Sequence, residues 1–320
     1  MQLLTVTASD ADQRLDRYLK KLFPNAPLSF LYKMGRTKKV RLNGKKAEPE
    51  MRIQEGDEIA LYLNDVEIVE FGEKKSTRPV TQTKFDRSAI LYEDEVLLVV
   101  NKLPGINVHP GDHKTTEASL IELIQDYLGN QYNSVGWKPS LAHRLDRDTS
   151  GVLIIAKTRH ALNSVLEDLQ SDKIKKIYLA CAAGVPKESS GTIKAPLLRV
   201  ENAKNENKVR VDPAGSKAVT HFKVLNQNTQ QNLSVVELHL ETGRMHQIRV
   251  HLAHIGTPVI GDKAYGDPQI NRDIKKQLGI ERQLLHARRL EFAHPVTKKR
   301  LVVEAPIPKD MESFMEKYFR

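Results

Sequence analysis

The sequence predicts an α+β fold. A small basic N-terminal module is followed by a larger domain built on a mixed, largely antiparallel sheet with flanking helices. Three observations lead there. From about residue 177 to 240, short runs such as 218–224 and 235–240 carry the β-branched, period-two character of strands. Only a few amphipathic helical stretches are inserted among the strands, which argues against a doubly wound parallel sheet. The 320 residues suffice for one large and one small core.

Composition bounds the partners. Lys and Arg number 50 against 40 Asp and Glu, a net charge of +10 that points to a polyanion, nucleic acid before membrane. The single cysteine, Cys181, excludes an internal disulfide and suits a reducing compartment. Within the apolar run 177–183 it is expected to be a buried, inert thiol. No apolar run reaches transmembrane length, and the first residues lack the basic flank of a signal peptide. A soluble, cytoplasmic monomer is expected.

Taken in order, Leu15, Tyr18, Leu19 and Leu22 recur at helical spacing, and Pro24-Asn25-Ala26-Pro27 ends that helix. Leu28, Leu31 and Tyr32 mark a second helix carrying Lys33, Arg36, Lys38 and Lys39. Val40-Arg41-Leu42 then turns at Asn43-Gly44, a strong hairpin signal. Glu55-Gly56-Asp57 precedes a strand at 59–63. Residues 14–52 hold twelve basic and three acidic side chains, +9 of the whole excess. A solvated basic face is the plain reading, but like charges at this density repel unless a partner neutralises them. Aromatic residues are sparse here, so phosphate and shape contacts are expected in place of base stacking. The basic helix–helix–hairpin resembles the S4 RNA-binding domain. That resemblance implies an RNA-binding module at 12–63, with Arg14, Arg17, Lys33, Arg36, Lys38, Lys39 and Arg41 as RNA contacts. The polar stretch 64–88, with Lys74-Lys75-Ser76-Thr77-Arg78-Pro79, reads as a linker to a second domain at 89–320.

Residues 96–100 form an apolar strand followed by Asn101-Lys102-Leu103-Pro104-Gly105. Leu120, Ile121, Leu123, Ile124, Tyr127 and Leu128 make an amphipathic helix closed by Gly129. Thr158 can cap another, with Ala161, Leu162, Val165, Leu166 and Leu169 facing inward. Both are core helices.

Between them lies His143-Arg144-Leu145-Asp146-Arg147-Asp148-Thr149-Ser150-Gly151, which crowds two carboxylates, two arginines and a histidine into six residues before an apolar run at 152–156. Charge at the mouth of a core strand is a common place for chemistry. The small turn residues let another backbone or a ligand approach closely. These residues resemble the catalytic motif of the RluA-type pseudouridine synthases, His-Arg-Leu-Asp-x-x-Thr-Ser-Gly, at every fixed position. The resemblance implies that Asp146 is the catalytic carboxylate and assigns nothing to Asp148. The stretch around 95–105 resembles an earlier motif of that family, with Leu103 inserted before Pro104.

Two later stretches complete the constellation. Tyr178, in Lys175-Lys176-Ile177-Tyr178-Leu179-Ala180, reads from the residues alone as a core tyrosine. The family pattern Lys-x-Tyr-x-Ala implies a contact with the target base and a part in proton transfer. In 241–262, Met245, Ile248, Leu252 and Ile255 share a helical stripe with Arg249 at its edge. A charge so placed is costly unless paired, and Asp146 is the natural partner, held ionised and oriented by it. This stretch resembles the family's Gly-Arg-x-His-Gln-Ile/Leu-Arg-x-His segment, whose second Arg pairs with the catalytic Asp. The same resemblance implies substrate contacts from His143, Arg144, Arg244 and His246. The planar guanidinium of Arg144 would fill the gap left by an extruded base. His246, His251 and His254 fit no metal-ligand spacing, so no metal is expected.

The implied reaction is isomerisation of uridine to pseudouridine in structured RNA, large-subunit ribosomal RNA ahead of transfer RNA. The bond from ribose C1′ to uracil N1 breaks and the base rejoins through C5. There is no net redox change, so no cofactor is expected. Asp146 can attack C1′, add to the base or abstract a sugar proton, and the sequence leaves all three open. Two rivals stand beside this reading. One is a non-catalytic RNA-binding or ribosome-assembly protein. The other is a nucleoside or glycoside hydrolase, which needs a second carboxylate, with Asp148 the only nearby candidate.

Overall fold

The structure, a computed structural model, describes residues 1–8, 10–71, 84–110, 117–129, 132, 137–201 and 207–319. These divide into two units. One comprises Met1–Phe85, His109–Ser140 and Ala156–Asn163; the other comprises Asp86–Val108, Leu141–Ile155 and Ser164–Arg320. The sequence reading sets its single cut near residue 88; the two units are interleaved along the chain.

In the first unit, β1 (Gln2–Thr5), α1 (Leu15–Leu22), α2 (Leu28–Arg36), β2 (Val40–Leu42), β3 (Lys45–Lys46) and β4 (Glu58–Leu61) form the basic module. Its antiparallel sheet runs β1-β4-β2-β3. Asn43 and Gly44 take φ values of 51° and 73°, the paired positive angles that a tight hairpin turn requires. Leu15, Tyr18, Leu19, Leu31 and Met34 from the helices pack with Val40, Ile59 and Leu61 from the strands.

The segment read as a linker begins differently. Asp65–Phe71 is a helix, α3, whose Ile68 and Phe71 pack onto this core, Phe71 lying 4.5 Å from Phe30 between ring centroids. Its apolar residues Ile68 and Phe71 are spaced to share a helical face, a short pattern set beside a long polar stretch in the sequence. The remainder of that stretch, 72–83, lies outside the described residues. The helix expected at 120–128 is α4 (Leu120–Leu128), opened by a Ser119–Glu122 capping box and closed by Gly129 at φ 64°, and the helix expected after Thr158 is α5 (Arg159–Gln170).

The second unit is organised by one sheet. Its strands are β5 (Ile90–Glu93), β6 (Leu97–Lys102), β7 (Ser150–Ala156), β8 (Lys175–Ala183), β9 (Ser190–Lys194), β12 (Val219–Asn228), β13 (Leu233–Leu240), β14 (Leu285–Ala293) and β15 (Arg300–Glu304). A separate hairpin, β10 (Leu197–Glu201) with β11 (Asn207–Val211), lies between β9 and β12 in sequence. The sheet runs β9-β12-β13-β8-β14-β7-β6-β5, with β15 added to β14. The β7–β14 ladder is parallel, whereas β8–β13, β8–β14, β12–β13, β9–β12, β14–β15 and β5–β6 are antiparallel. The fold is therefore the mixed, largely antiparallel α+β arrangement expected.

Helices α7 (Pro268–Leu278) and α8 (Lys309–Phe319) cover part of that sheet. Ile274, Met311 and Phe314 pack on Leu179, Cys181 and Val235. Asp267 accepts the N–H groups of Gln269 and Ile270 at the start of α7, and Gly279 ends it at φ 68°. Cys181 is fully buried, and burial pushes its thiol pKa up, as an inert core thiol requires. Among the described residues, no helix is long and apolar enough to cross a membrane.

Candidate active site

Asp146 lies in the turn before β7, and the surrounding chain fixes that turn atom by atom. Thr149 N–H donates to the Asp146 carbonyl at 3.1 Å. Lys102, buried at the end of β6, donates to the carbonyls of Arg147 at 2.7 Å and Leu103 at 2.8 Å. Burial pushes its pKa down to about 7, against the pull of nearby Asp148. Arg147 also exchanges hydrogen bonds with Gly105, Nε to carbonyl at 3.0 Å and carbonyl from N–H at 2.9 Å. Arg282, paired with Asp310 through two bonds of 2.6 and 2.8 Å, donates to the Asp148 carbonyl at 3.2 Å. Gly151 follows at φ 118°, where an added Cβ would meet the Ala287 carbonyl oxygen at 2.2 Å. The small residues after Asp146 are there because the parallel β14 backbone passes so close.

Arg249 comes to this turn from α6 (Gln247–His254). It is buried, with its side chain 9% exposed, and each of its three guanidinium nitrogens donates to a carboxylate. Nη1 donates to Asp146 Oδ2 at 2.9 Å, while Nε and Nη2 grip Asp262 at 2.6 and 2.9 Å. The pairing with Asp146 is as expected. The bidentate partner is Asp262, whose side chain is 0% exposed and which also accepts the N–H groups of Ala264 and Tyr265 at 2.9 and 3.1 Å. Burial alone would raise the Asp262 pKa, but the Arg249 hydrogen bonds and charge outweigh it and hold the carboxyl below its usual range. Sequence reasoning missed Asp262. The signal available was an acid directly after the apolar Val259-Ile260 and a glycine, a charge that needs a partner once buried.

Around Asp146 is a cleft of about 310 Å³, walled by Arg144, Tyr178, Arg199, Arg244 and His246. Asp146 is the only carboxylate among its described lining residues. Tyr178 is buried in β8, and its hydroxyl has no hydrogen-bond partner among the described residues. Burial, then the nearby Asp146 charge, push its pKa up, so it stands in the cleft as a neutral phenol and a donor. Arg144 is exposed on the rim, as is Arg244, whose Nε donates to the Lys217 carbonyl at 3.1 Å. Arg199, in the β10–β11 hairpin, is a lining residue the sequence did not single out.

His143, expected as a substrate contact, is placed behind the turn. It does not line the cleft; its Nε2 accepts the Ile154 N–H at 3.2 Å, and burial pushes its pKa down to about 4. It is a neutral ring that pins the turn to β7. The helix behind is equally committed. Gln247 Nε2 donates to the Val219 carbonyl and the Thr220 hydroxyl, each at 3.0 Å. His251 lies between the Thr220 hydroxyl at 2.8 Å and the Ala195 carbonyl at 2.9 Å. That spends both of its ring nitrogens, and no metal-binding cluster occurs among the described residues.

Of the seven basic N-terminal candidates, two are engaged internally. Arg14 is bidentate on Asp16 at 2.7 and 3.1 Å, and Lys39 pairs with Glu67 of α3. Arg41 lies 5.6 Å from the Tyr62 ring centroid. Arg17, Lys33, Arg36 and Lys38 are exposed, with Lys33 and Arg36 one helical turn apart on α2.

Comparison with known proteins gives the family of the chain. Residues 96–254 match the family described as RNA pseudouridylate synthase. The large-subunit ribosomal pseudouridine synthase C of Buchnera aphidicola (subspecies Baizongia pistaciae) is 36% identical, over 95% of this chain and 93% of its own. Its namesake from Escherichia coli K12 is 33% identical over 99% and 96%. The chain is an RluA-type pseudouridine synthase. In structure, human RNA pseudouridylate synthase domain containing 4 matches 72% of the synthase and 93% of its own chain, at 26% identity and a TM-score of 0.58. The synthase therefore isomerises uridine to pseudouridine in RNA. The matched family span contains Asp146, Tyr178 and Arg249, whereas Asp262 and Tyr265 lie beyond it. The hydrolase alternative needs a second acid, and Asp148 is not among the described residues that line the cleft.

Proposed function

We propose that this enzyme modifies uridines of large-subunit ribosomal RNA, with Asp146 as the essential carboxylate. The observation that carries the site assignment is the single carboxylate of the cleft, held by a buried arginine that is itself anchored on Asp262. In this reading Arg249 holds Asp146 aimed into the cleft without cancelling the charge of the cluster. Its charge is shared by two carboxylates, so the cluster retains one net negative charge for the sugar or base. Asp146 Oδ1 accepts no hydrogen bond from a described residue and is the atom left for substrate. Tyr178, a neutral donor at the cleft wall, faces the flipped base and passes or receives a proton as C5 replaces N1. Arg144 at the rim occupies the vacated stack, and Arg244 and Arg199 meet the flanking phosphates.

The basic module at 12–63 is read as an S4-like RNA grip, with Arg17, Lys33, Arg36 and Lys38 the side chains most available to phosphate. Ribosomal RNA as substrate is supported by the names of the relatives that span nearly the whole chain. The test is a map of pseudouridines in total RNA from cells with and without the gene. Loss of specific sites in large-subunit ribosomal RNA is expected. Loss confined to transfer RNA would reassign the substrate, and free uracil from the purified enzyme would reassign the reaction.

A further inference from the structure

Arg249 is not the only group turned toward Asp146. His246, immediately before α6, has its Nε2 3.8 Å from Asp146 Oδ2 and its Nδ1 2.9 Å from the Tyr265 hydroxyl oxygen. Its backbone is left-handed, φ 55°, a conformation that a side-chain-bearing residue holds only when its surroundings dictate it. The Tyr265 oxygen already accepts the Val209 N–H of β11 at 2.9 Å. A phenol has one proton to give, and with Val209 on the oxygen that proton points to His246 Nδ1. The imidazole proton then sits on Nε2. Asp146 favours the same form: a carboxylate attracts an N–H and repels a lone pair. The Tyr265 ring also meets the His246 ring edge-on, 5.6 Å between centroids at 69°, and lies 5.2 Å from the Arg249 guanidinium.

We propose that Tyr265 is a positioning residue that fixes His246 as the neutral Nε2–H tautomer, so that a second donor beside Arg249 faces the Asp146 carboxylate. This rests on the assignment of Asp146 as the essential group. The charged groups facing His246 are Asp146, Arg249, Asp262 and Arg144. Burial outweighs the two acids and lowers the His246 pKa, keeping the ring neutral. Burial likewise raises the Tyr265 pKa, preserving the hydroxyl proton that the lock needs. Because Val209 belongs to the hairpin whose Arg199 lines the cleft, seating of that hairpin is read directly by the tautomer next to Asp146.

Two measurements on the full chain test it. In ¹⁵N spectra of histidine-labelled enzyme, the proton of His246 is expected on Nε2 in wild type, with a mixture of tautomers in Tyr265→Phe. A wild-type His246 protonated on Nδ1 overturns the proposal whatever the activity of Asp146 variants. The second measurement compares Tyr265→Phe in wild type and in His246→Gln, whose amide donates from near the Nε2 position and has no tautomers. Tyr265→Phe is expected to lower kcat about tenfold at unchanged KM in wild type, roughly the loss of one hydrogen bond. In the His246→Gln background it should cost nothing more. Equal losses in both backgrounds would make the hydroxyl a mere partner of Val209 and overturn the assignment. Turnover by Asp146→Asn would instead remove the assignment on which the proposal rests, leaving the spectra to decide the tautomer.

Discussion

Replacing Arg249 with Met removes three charged hydrogen bonds at once, two to Asp262 and one to Asp146. The methionine fills the buried stem but leaves Asp262, whose side chain is 0% exposed, without its cation. Breaking a buried pair from one side costs about 3 to 5 kcal/mol. For a protein of this size that lowers Tm by roughly 4 to 8 °C. The loss has a sign with pH. In wild type the Asp262 pKa lies below its usual value, so the group contributes stability above the unfolded carboxyl range that is lost as pH falls through the folded pKa. In the variant, burial without a cation raises the folded pKa above the unfolded one. The variant then recovers stability relative to wild type on acidification. Urea unfolding at pH 7.5 and pH 5 should show the larger deficit at the higher pH. The double variant Arg249→Met/Asp262→Asn should lose less than the sum of its singles, by more than the corresponding pairing with Asp146→Asn. A deficit below about 1 kcal/mol, the range of an exposed pair, and the same at both pH values would refute the buried anchor.

Tyr178→Phe should reduce kcat by roughly 10² to 10⁴ while leaving stability within about 0.5 kcal/mol, since the hydroxyl has no partner among the described residues; near-normal turnover would remove it from the chemistry. Lys33→Gln/Arg36→Gln/Lys38→Gln in the full chain should weaken RNA binding and flatten the log–log salt slope by roughly 2 to 3, at about 0.7 to 0.9 per phosphate contact. An unaltered slope would make this a solvated basic face. Gly151→Ala forces a Cβ against the Ala287 carbonyl at φ 118° and should destabilise by more than about 4 kcal/mol; a wild-type urea midpoint would show that β7 and β14 do not approach as closely as described.

What was legible in the sequence was local or carried by a motif. Period-two runs became β12 and β13, Asn43-Gly44 became a hairpin turn, and Thr158 caps the helix after β7 through the Ala161 N–H at 3.2 Å. Asp146, Tyr178 and Arg249, each singled out from a separate motif, line one cleft. What was not legible lies in pairings that no period records. Asp262 is 13 positions from Arg249, and Arg282 is 134 from the carbonyl it holds at Asp148. The sequence reports that a buried charge needs a partner, not which acid is bidentate and which is left a single bond. For His143 the sequence gives adjacency to Asp146 and not direction; its ring turns to the Ile154 N–H of β7. Helix α3 was overlooked because seven residues carry too little periodicity to stand out beside a polar tract.

The most direct test of the whole account is a single-turnover assay on target RNA labelled with tritium at uridine C5, run with saturating wild-type enzyme and with Asp146→Asn. Wild type should release tritium and leave pseudouridine at the target uridine. The variant should bind the RNA with near wild-type affinity, because that affinity comes mainly from phosphate contacts, and release none. Tritium release by Asp146→Asn at a substantial fraction of the wild-type rate would contradict the assignment of Asp146 as the group on which the reaction depends.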